Sequence, residues 1–357
     1  MSMRILITGN MGYVGPVLVR HLRRRLPGAI LIGYDSGLFG HCLTACSALP
    51  EALLDKQIFG DVRDIGPDVV AGCDAVVHLA AISNDPMGDR FAEPTNAVNH
   101  LASVRLAHLA RDAGVRHFVY ASSCSVYGAA SSTARSEADS VAPLTAYACS
   151  KIATELGLRQ MDRAGMAITC LRFATACGMS DRLRLDLVLN DFAASAMVAR
   201  AITVLSDGTP WRPLIDVTDM ARAIEWAVQR PQEHGGGMLV VNAGSDEWNY
   251  QVHDLAQAVV AQSPGCTLSI NTNAPPDKRS YRVDFSLFRS LAPEHQPLAT
   301  LAGTIGRLRQ GLATMAFADA DFRHGPHIRL HVLTEHAAAG RIDGEIRWRD
   351  QARGIVP

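Results

Sequence analysis

Met3-Arg-Ile-Leu-Ile-Thr8 runs directly into Gly9-Asn-Met-Gly12-Tyr-Val-Gly15, and behind the third glycine comes Pro16-Val-Leu-Val-Arg-His-Leu-Arg-Arg-Arg-Leu26. The first piece is a short apolar run of the kind a strand buried on both faces requires. The last places Val17, Leu18, Leu22 and Leu26 at helical spacing, and Pro27-Gly28 stops it. Strand, glycine turn and helix in this order form a cradle for phosphate. The first glycine allows the tight turn, the second lets backbone approach a pyrophosphate, and the third lets the helix pack closely on the strand. Gly9, Gly12 and Gly15, with Tyr13 and Val14 in the same turn, are therefore read as a dinucleotide site.

The next strand supports this reading. Ala29-Ile-Leu-Ile-Gly-Tyr-Asp35 ends in a carboxylate. Asp35 can accept hydrogen bonds from both hydroxyls of an adenosine ribose and would repel a 2′-phosphate, which favours NAD over NADP. Strand and helix patterns then keep alternating. Ile58-Phe-Gly-Asp61 reads as a short strand ending in Asp61, and Asp74–Ala80, His117–Ser122 and Ala167–Phe173 read as buried strands. Helices are expected at Asn96–Arg111, Tyr147–Arg163 and Tyr250–Gln262. Such alternation predicts an α/β protein with a doubly wound parallel sheet, the Rossmann arrangement. After Gly178 the pattern loosens, so a smaller, mainly C-terminal substrate-binding lobe is expected. The division reads as 1–177 with 214–262 for the NAD-binding lobe and 178–213 with 263–357 for the other.

Composition narrows the partners. A chain of 357 residues exceeds the roughly 250–300 at which single cores stop growing, which fits two lobes. A net charge of -1 and the lack of a basic run argue against nucleic acid, and the arginines between Arg20 and Arg25 read as the exposed end of the first helix. No apolar stretch reaches the roughly 18–20 residues needed to cross a bilayer, so a soluble, cytoplasmic protein without a membrane partner is expected. Eight scattered cysteines with no Cys-x-x-Cys pair fit reduced thiols and no metal.

Tyr147 and Lys151, in Pro143-Leu-Thr-Ala-Tyr-Ala-Cys-Ser-Lys151, share one helix face. A cation held beside a phenol favours phenolate and brings it toward useful acid/base chemistry.

Together these stretches resemble a known family. Gly9-x-x-Gly12-x-x-Gly15, Asp61-Val62, His78-Leu-Ala-Ala81, Asn99, Ser122-Ser-Cys-Ser-Val-Tyr-Gly128, Tyr147-x-x-x-Lys151 and Trp211-Arg-Pro-Leu-Ile-Asp-Val-Thr-Asp219 are similar, in order and spacing, to the extended short-chain dehydrogenases of the NAD-dependent epimerase/dehydratase type. The likeness extends over about residues 1–285, and no motif is legible beyond. It implies that Asp61 and Val62 meet the adenine edge, that Leu79, Ala80 and Ala81 line the dinucleotide, and that Asn99 belongs to the cofactor site. It further implies that Ser123 is the catalytic hydroxyl, that Tyr147 exchanges the proton, and that Lys151 grips the nicotinamide ribose and lowers the tyrosine pKa. For the nucleotide-sugar substrate it points to Asn190 and Arg212, with Arg279 and Arg282 as weaker candidates for the same phosphate contact or else as a salt-bridged surface pair. Pairing through Asn96–Arg111 and Tyr147–Arg163 implies a homodimer.

The departures decide among activities. Similar 4,6-dehydratases carry an Asp-Glu pair directly after the catalytic hydroxyl, whereas this chain has Cys124 and Ser125. The related 3,5-epimerases use a cysteine at position 125, one residue beyond Cys124, and one residue along a strand turns a side chain to the other face. Cys124 therefore reads as packing. The expectation is a nucleotide-sugar 4-epimerase, with a one-way NAD(P)H-dependent ketoreductase of a 4-keto nucleotide sugar or other small carbonyl as the alternative. A non-catalytic NAD sensor is disfavoured because Ser123, Tyr147 and Lys151 are all retained.

Overall fold

The computed structural model describes residues 2–128, 133–274 and 280–349. Its strands are β1 Arg4–Thr8, β2 Ile30–Asp35, β3 Lys56–Phe59, β4 Ala75–His78, β5 His117–Ser123, β6 Ala167–Phe173, β7 Thr175–Cys177, β8 Ala201–Val204, β9 Trp211–Asp216, β10 Met238–Ala243, β11 Asn249–Gln251 and β12 Thr267–Ile270. Seven of them form one parallel sheet in the order β10-β6-β5-β4-β1-β2-β3. Central strands are buried along their whole length, as in β4 and β6, because helices cover both faces. Successive strands run outward from β1 to β3 and then, from β4, outward in the opposite direction. The crevice at this reversal opens between the ends of β1 and β4, where Thr8 and His78 are in register.

The helix α1, Gly15–Arg25, shows how the turn is fixed. It has no side-chain cap, but a proline sits in its first turn and Arg23, Arg24 and Arg25 lie in its last, where cations oppose the helix dipole. Gly9 adopts φ 76°, and a Cβ there would lie 2.4 Å from the Ala80 amide nitrogen. At Gly15 it would lie 2.0 Å from the Asn10 carbonyl oxygen, so both positions exclude any side chain.

The later chain builds a second layer. β7, β9 and β11 form a three-stranded sheet, and β8 pairs with β12. The helix Val252–Ala261 packs against the helix Val188–Val198 and against β8, β11 and β12, so it belongs with this layer and not with the first lobe, where the sequence reading put it. The helix expected at Asn96–Arg111 opens with one wide π turn, Ala97–Leu101, before regular helix over Ala102–Asp112. Asp61 lies just past β3, where its carboxylate caps the short turn Val62–Asp64. Among the described residues beyond 285 there are three further α-helices, Ser286–Leu291, Leu301–Thr314 and Arg329–Ala338, and then a bridge between Ile342 and Trp348. Among the described residues no helix is long and apolar enough to cross a membrane, and no His, Cys, Asp and Glu cluster suits a metal.

Candidate active site

One cavity of about 990 Å³ lies over the crevice between β1 and β4. That volume is at the upper end of the roughly 300–1,000 Å³ usual for small-molecule sites and suits a dinucleotide with a second ligand. Its floor begins at Gly9, Gly12, Tyr13 and Val14. A Cβ on Gly12 would meet only the Gly9 carbonyl oxygen, at 3.2 Å, and would otherwise fill the space at the start of α1, so bare backbone faces that end of the cavity. Gly15 is buried behind this turn and acts through packing. Asp35, at the end of β2, accepts the Met11 amide at 3.0 Å and the Gly37 amide at 2.8 Å while facing the cavity. Burial raises its carboxyl pKa and these amides oppose the rise; each oxygen keeps a second lone pair for a hydroxyl. Val62, Leu79, Ala80 and Ala81 complete a groove whose shape and donors fit the two ends of a dinucleotide.

Asp61 lines the same end, but its carboxylate is gripped by the Arg63 guanidinium at 2.5 and 2.9 Å. Burial opposes the ionised form, yet Arg63 prevails and holds the carboxyl below its usual pKa. Asn99 is not part of the cavity wall. Its carboxamide accepts the Ile82 amide at 2.8 Å and donates to the Ile82 carbonyl at 3.0 Å, fixing the strand end that carries Leu79–Ala81. The role implied by resemblance is thus corrected from contact to positioning. His78 is spent in the same way, between the hydroxyls of Thr8 at 2.6 Å and Ser103 at 2.7 Å, and burial lowers its pKa to about 3.

At the other end β5 delivers Ser123, and the helix Ala146–Gln160 delivers Tyr147 and Lys151 into the cavity. Thr145 starts that helix by accepting the Ala148 amide at 3.2 Å. Burial pushes the Tyr147 pKa up to about 12, while the hydrogen bond with Ser123 and the nearby Arg184 pull it down. Lys151 donates to the Ala121 carbonyl at 2.8 Å and lies 5.4 Å from the centre of the Tyr147 ring. Its own pKa is lowered to about 7, chiefly by burial, against the pull of Glu155. The expected lowering of the tyrosine by Lys151 is therefore not the dominant effect: Ser123 and Arg184 carry it, and burial outweighs both. Cys124 is wholly buried, donates to the Arg172 carbonyl at 3.1 Å, and has its thiol pKa raised by burial, so it is core.

Beneath this triad lies a buried ionic network. Ser122 donates to Glu155 at 2.5 Å, and Arg172 meets both Glu155 oxygens at 2.7 and 3.0 Å. It ties the end of β5 to the helix carrying Tyr147 and Lys151.

On the substrate side Arg212 faces the cavity from β9. Arg282 does not; its guanidinium lies 5.2 Å over the Trp211 ring, and the neighbouring Tyr281 lines the cavity instead. Arg279 lies outside the described residues. Asn190 is fully buried behind the wall, accepting the Gly178 amide at 2.9 Å and donating to the Arg184 carbonyl at 2.9 Å. It positions Arg184 and touches no cavity space, another correction from contact to support. The sequence reading missed Arg184, Asp186 and Asp85. Arg184 is held by Asp186 at 2.8 and 2.9 Å and by the Ser83 hydroxyl at 3.1 Å, and Asp85 accepts from Thr145 at 2.7 Å. The one signal for Arg184 and Asp186 was the dense charge of Asp181-Arg-Leu-Arg-Leu-Asp186 in an otherwise apolar stretch.

A glycine-turn dinucleotide groove ending at a Ser, Tyr and Lys set defines a nicotinamide-dependent enzyme of the short-chain dehydrogenase type. The model of the NAD dependent epimerase/dehydratase family matches residues 5–244, and the chain belongs to that family, whose cofactor is NAD. An uncharacterized UDP-glucose epimerase of Bacillus subtilis is 28% identical over 69% of this chain and 78% of its own. A dTDP-glucose 4,6-dehydratase of Streptomyces niveus is 28% identical over 62% and 68%. Among solved structures, MoeE5 in complex with UDP-glucuronic acid and NAD is similar at a TM-score of 0.73 and 26% identity, over 87% of this chain and 99% of that one.

Proposed function

We propose that this protein is a nucleotide-sugar 4-epimerase. The observation that carries the reading is the convergence of Ser123, Tyr147 and Lys151 on one cavity end while positions 124 and 125 are a core cysteine and a serine. Dehydration across C5 and C6 needs its own acid and base beside the hydroxyl, and positions 124 and 125 supply no carboxylate. When bound, NAD supplies a hydride acceptor and donor at its nicotinamide. Tyr147 takes the proton of the C4 hydroxyl as that carbon is oxidised and returns it after the sugar has turned. Ser123 holds the same oxygen, and Lys151 stands beside the phenol ring to bind the nicotinamide ribose. Arg212 supplies cationic hydrogen bonding for the diphosphate of the substrate. Gly9, Gly12, Tyr13, Val14, Asp35, Asp61, Val62 and Leu79–Ala81 hold the cofactor.

A homodimer is part of the proposal. Leu101 is 56% exposed and Leu156 51% exposed, on the two helices expected to pair. A cytoplasmic setting suits eight free cysteines. The test incubates purified protein with UDP- and dTDP-hexoses without added cofactor and follows the C4 configuration by NMR. Turnover under those conditions supports epimerisation, and strict dependence on added NADH overturns it in favour of ketoreduction.

A further inference from the structure

The residues beyond 285 carry no legible motif, and the family match stops at 244, yet this stretch closes the cavity. Arg329 is 2% exposed and lines the cavity where the helix Arg329–Ala338 begins. Its guanidinium lies 4.9 Å over the Phe39 ring and donates to the carbonyls of Arg182 at 2.9 Å and Pro326 at 3.4 Å. Its buried neighbours Arg182 and Arg184 are each paired, with Glu51 and Asp186, whereas Arg329 has no ion pair among the described residues. The nearby Asp186 acts on Arg329 only from a distance, because its carboxylate is bonded to Arg184, so a buried cation facing the cavity with no bonded carboxylate of its own calls for an anion from a ligand. Phe39 belongs to the loop that leaves Asp35, which places that anion on the dinucleotide side.

The next turn of chain closes over the adenosine end. The Trp348 indole donates to the Ser36 carbonyl at 2.6 Å, Arg63 donates to the Glu345 carbonyl at 2.9 Å, and Arg347 pairs with Asp64. Ile346 lines the cavity and packs with Ile82, Met87, Leu333 and Ile342 in a small core of its own. These contacts seat the hairpin on the ends of β2 and β3, beside Asp35 and Asp61.

We propose that residues 329–348 form a clasp on the dinucleotide, in which Arg329 meets the pyrophosphate charge and the hairpin from Ile342 to Trp348 covers the adenosine half. The clasp slows cofactor release, as suits an enzyme that regenerates its cofactor within one site. The inference rests on the assignment of the groove to NAD, not on which sugar is turned over.

The test measures binding and release of NADH, ADP-ribose and UDP by full-length wild type, Arg329→Gln, Arg329→Lys and Trp348→Ala. The expected result is a loss of about tenfold or more in ADP-ribose and NADH affinity for Arg329→Gln and Trp348→Ala, mostly as faster release, with UDP unchanged and partial retention in Arg329→Lys. Trp348 is 45% exposed, so Trp348→Ala decides the matter even if the buried Arg329→Gln does not fold. Unchanged release, a loss confined to UDP, or faster uptake with unaltered release in Trp348→Ala each overturns the clasp. Wild type that binds no NADH would instead sink the cofactor assignment itself.

Discussion

Replacing Arg172 by methionine removes one half of the ion pair that, with Ser122, fastens the strand ends beside Ser123 to the helix of Tyr147 and Lys151. The side chains of Arg172 and Glu155 are 7% and 5% exposed, so neither charge is relieved by solvent. Arg172 gives Glu155 three contacts, at 2.7, 3.0 and 3.3 Å, and gives the Tyr127 hydroxyl one at 3.0 Å. After Arg172→Met the Glu155 carboxylate keeps only the Ser122 hydroxyl as a hydrogen-bond partner among the described residues, and a buried charge stripped of its ion-pair partner costs ~3–5 kcal/mol. Glu155→Leu combined with Arg172→Met leaves no buried charge and is expected to recover most of that loss, because apolar replacement of a whole buried pair is often neutral. Urea unfolding followed by circular dichroism reads both variants, with the midpoint compared at unchanged slope. A single variant that loses less than ~1 kcal/mol, the scale of an exposed pair, would refute the claim that the pair is sealed from water. So would a double variant as unstable as the single one.

Tyr147→Phe is expected to lower kcat by about 10²–10⁴ while leaving NADH affinity unchanged, as measured by turnover and fluorescence titration; a parallel loss of binding would undo the proton-transfer role. Lys151, with its pKa lowered to about 7, should be the lysine that cyanate carbamylates near pH 8, ahead of Lys56 and Lys278, and bound NAD should protect it. The sign follows from burial: the neutral, nucleophilic amine dominates above about 7 in the folded protein, whereas an ordinary lysine stays protonated to about 10.4. Peptide mass spectrometry gives the rate at Lys151, and a rate no faster than that of a free lysine under the same conditions would refute the shift. Gly15→Ala should destabilise the fold by ~1–3 kcal/mol or more and empty the cofactor site, because the methyl lands 2.0 Å from the backbone oxygen of Asn10; a melting temperature equal to wild type would show that the turn can yield.

The parts of this protein that were legible in its sequence are those where local chain chemistry and function coincide. A glycine turn must follow its strand and precede its helix, so Gly9 to Gly15 declare both the fold and the phosphate cradle. Tyr147 and Lys151 are one helical turn apart, and Ser123 stands a fixed step before Val126-Tyr-Gly128. Asn99 and Asn190 were placed at the site by likeness but lie behind it, since a carboxamide that pins backbone gives the same letter as one that binds phosphate. Arg184, Asp85 and Arg329 were missed for a different reason: what matters is which charges they meet across the fold, and no spacing along the chain records that. The C-terminal stretch is the extreme case. Its contacts with Ser36, Arg63 and Asp64 join residues some three hundred positions apart, and only the folded chain shows that Arg329 and Ile346 line the cavity. On our proposals, the first half of the chain sets the hydride and proton transfer, and residues 329–348 set the lifetime of the cofactor beside it.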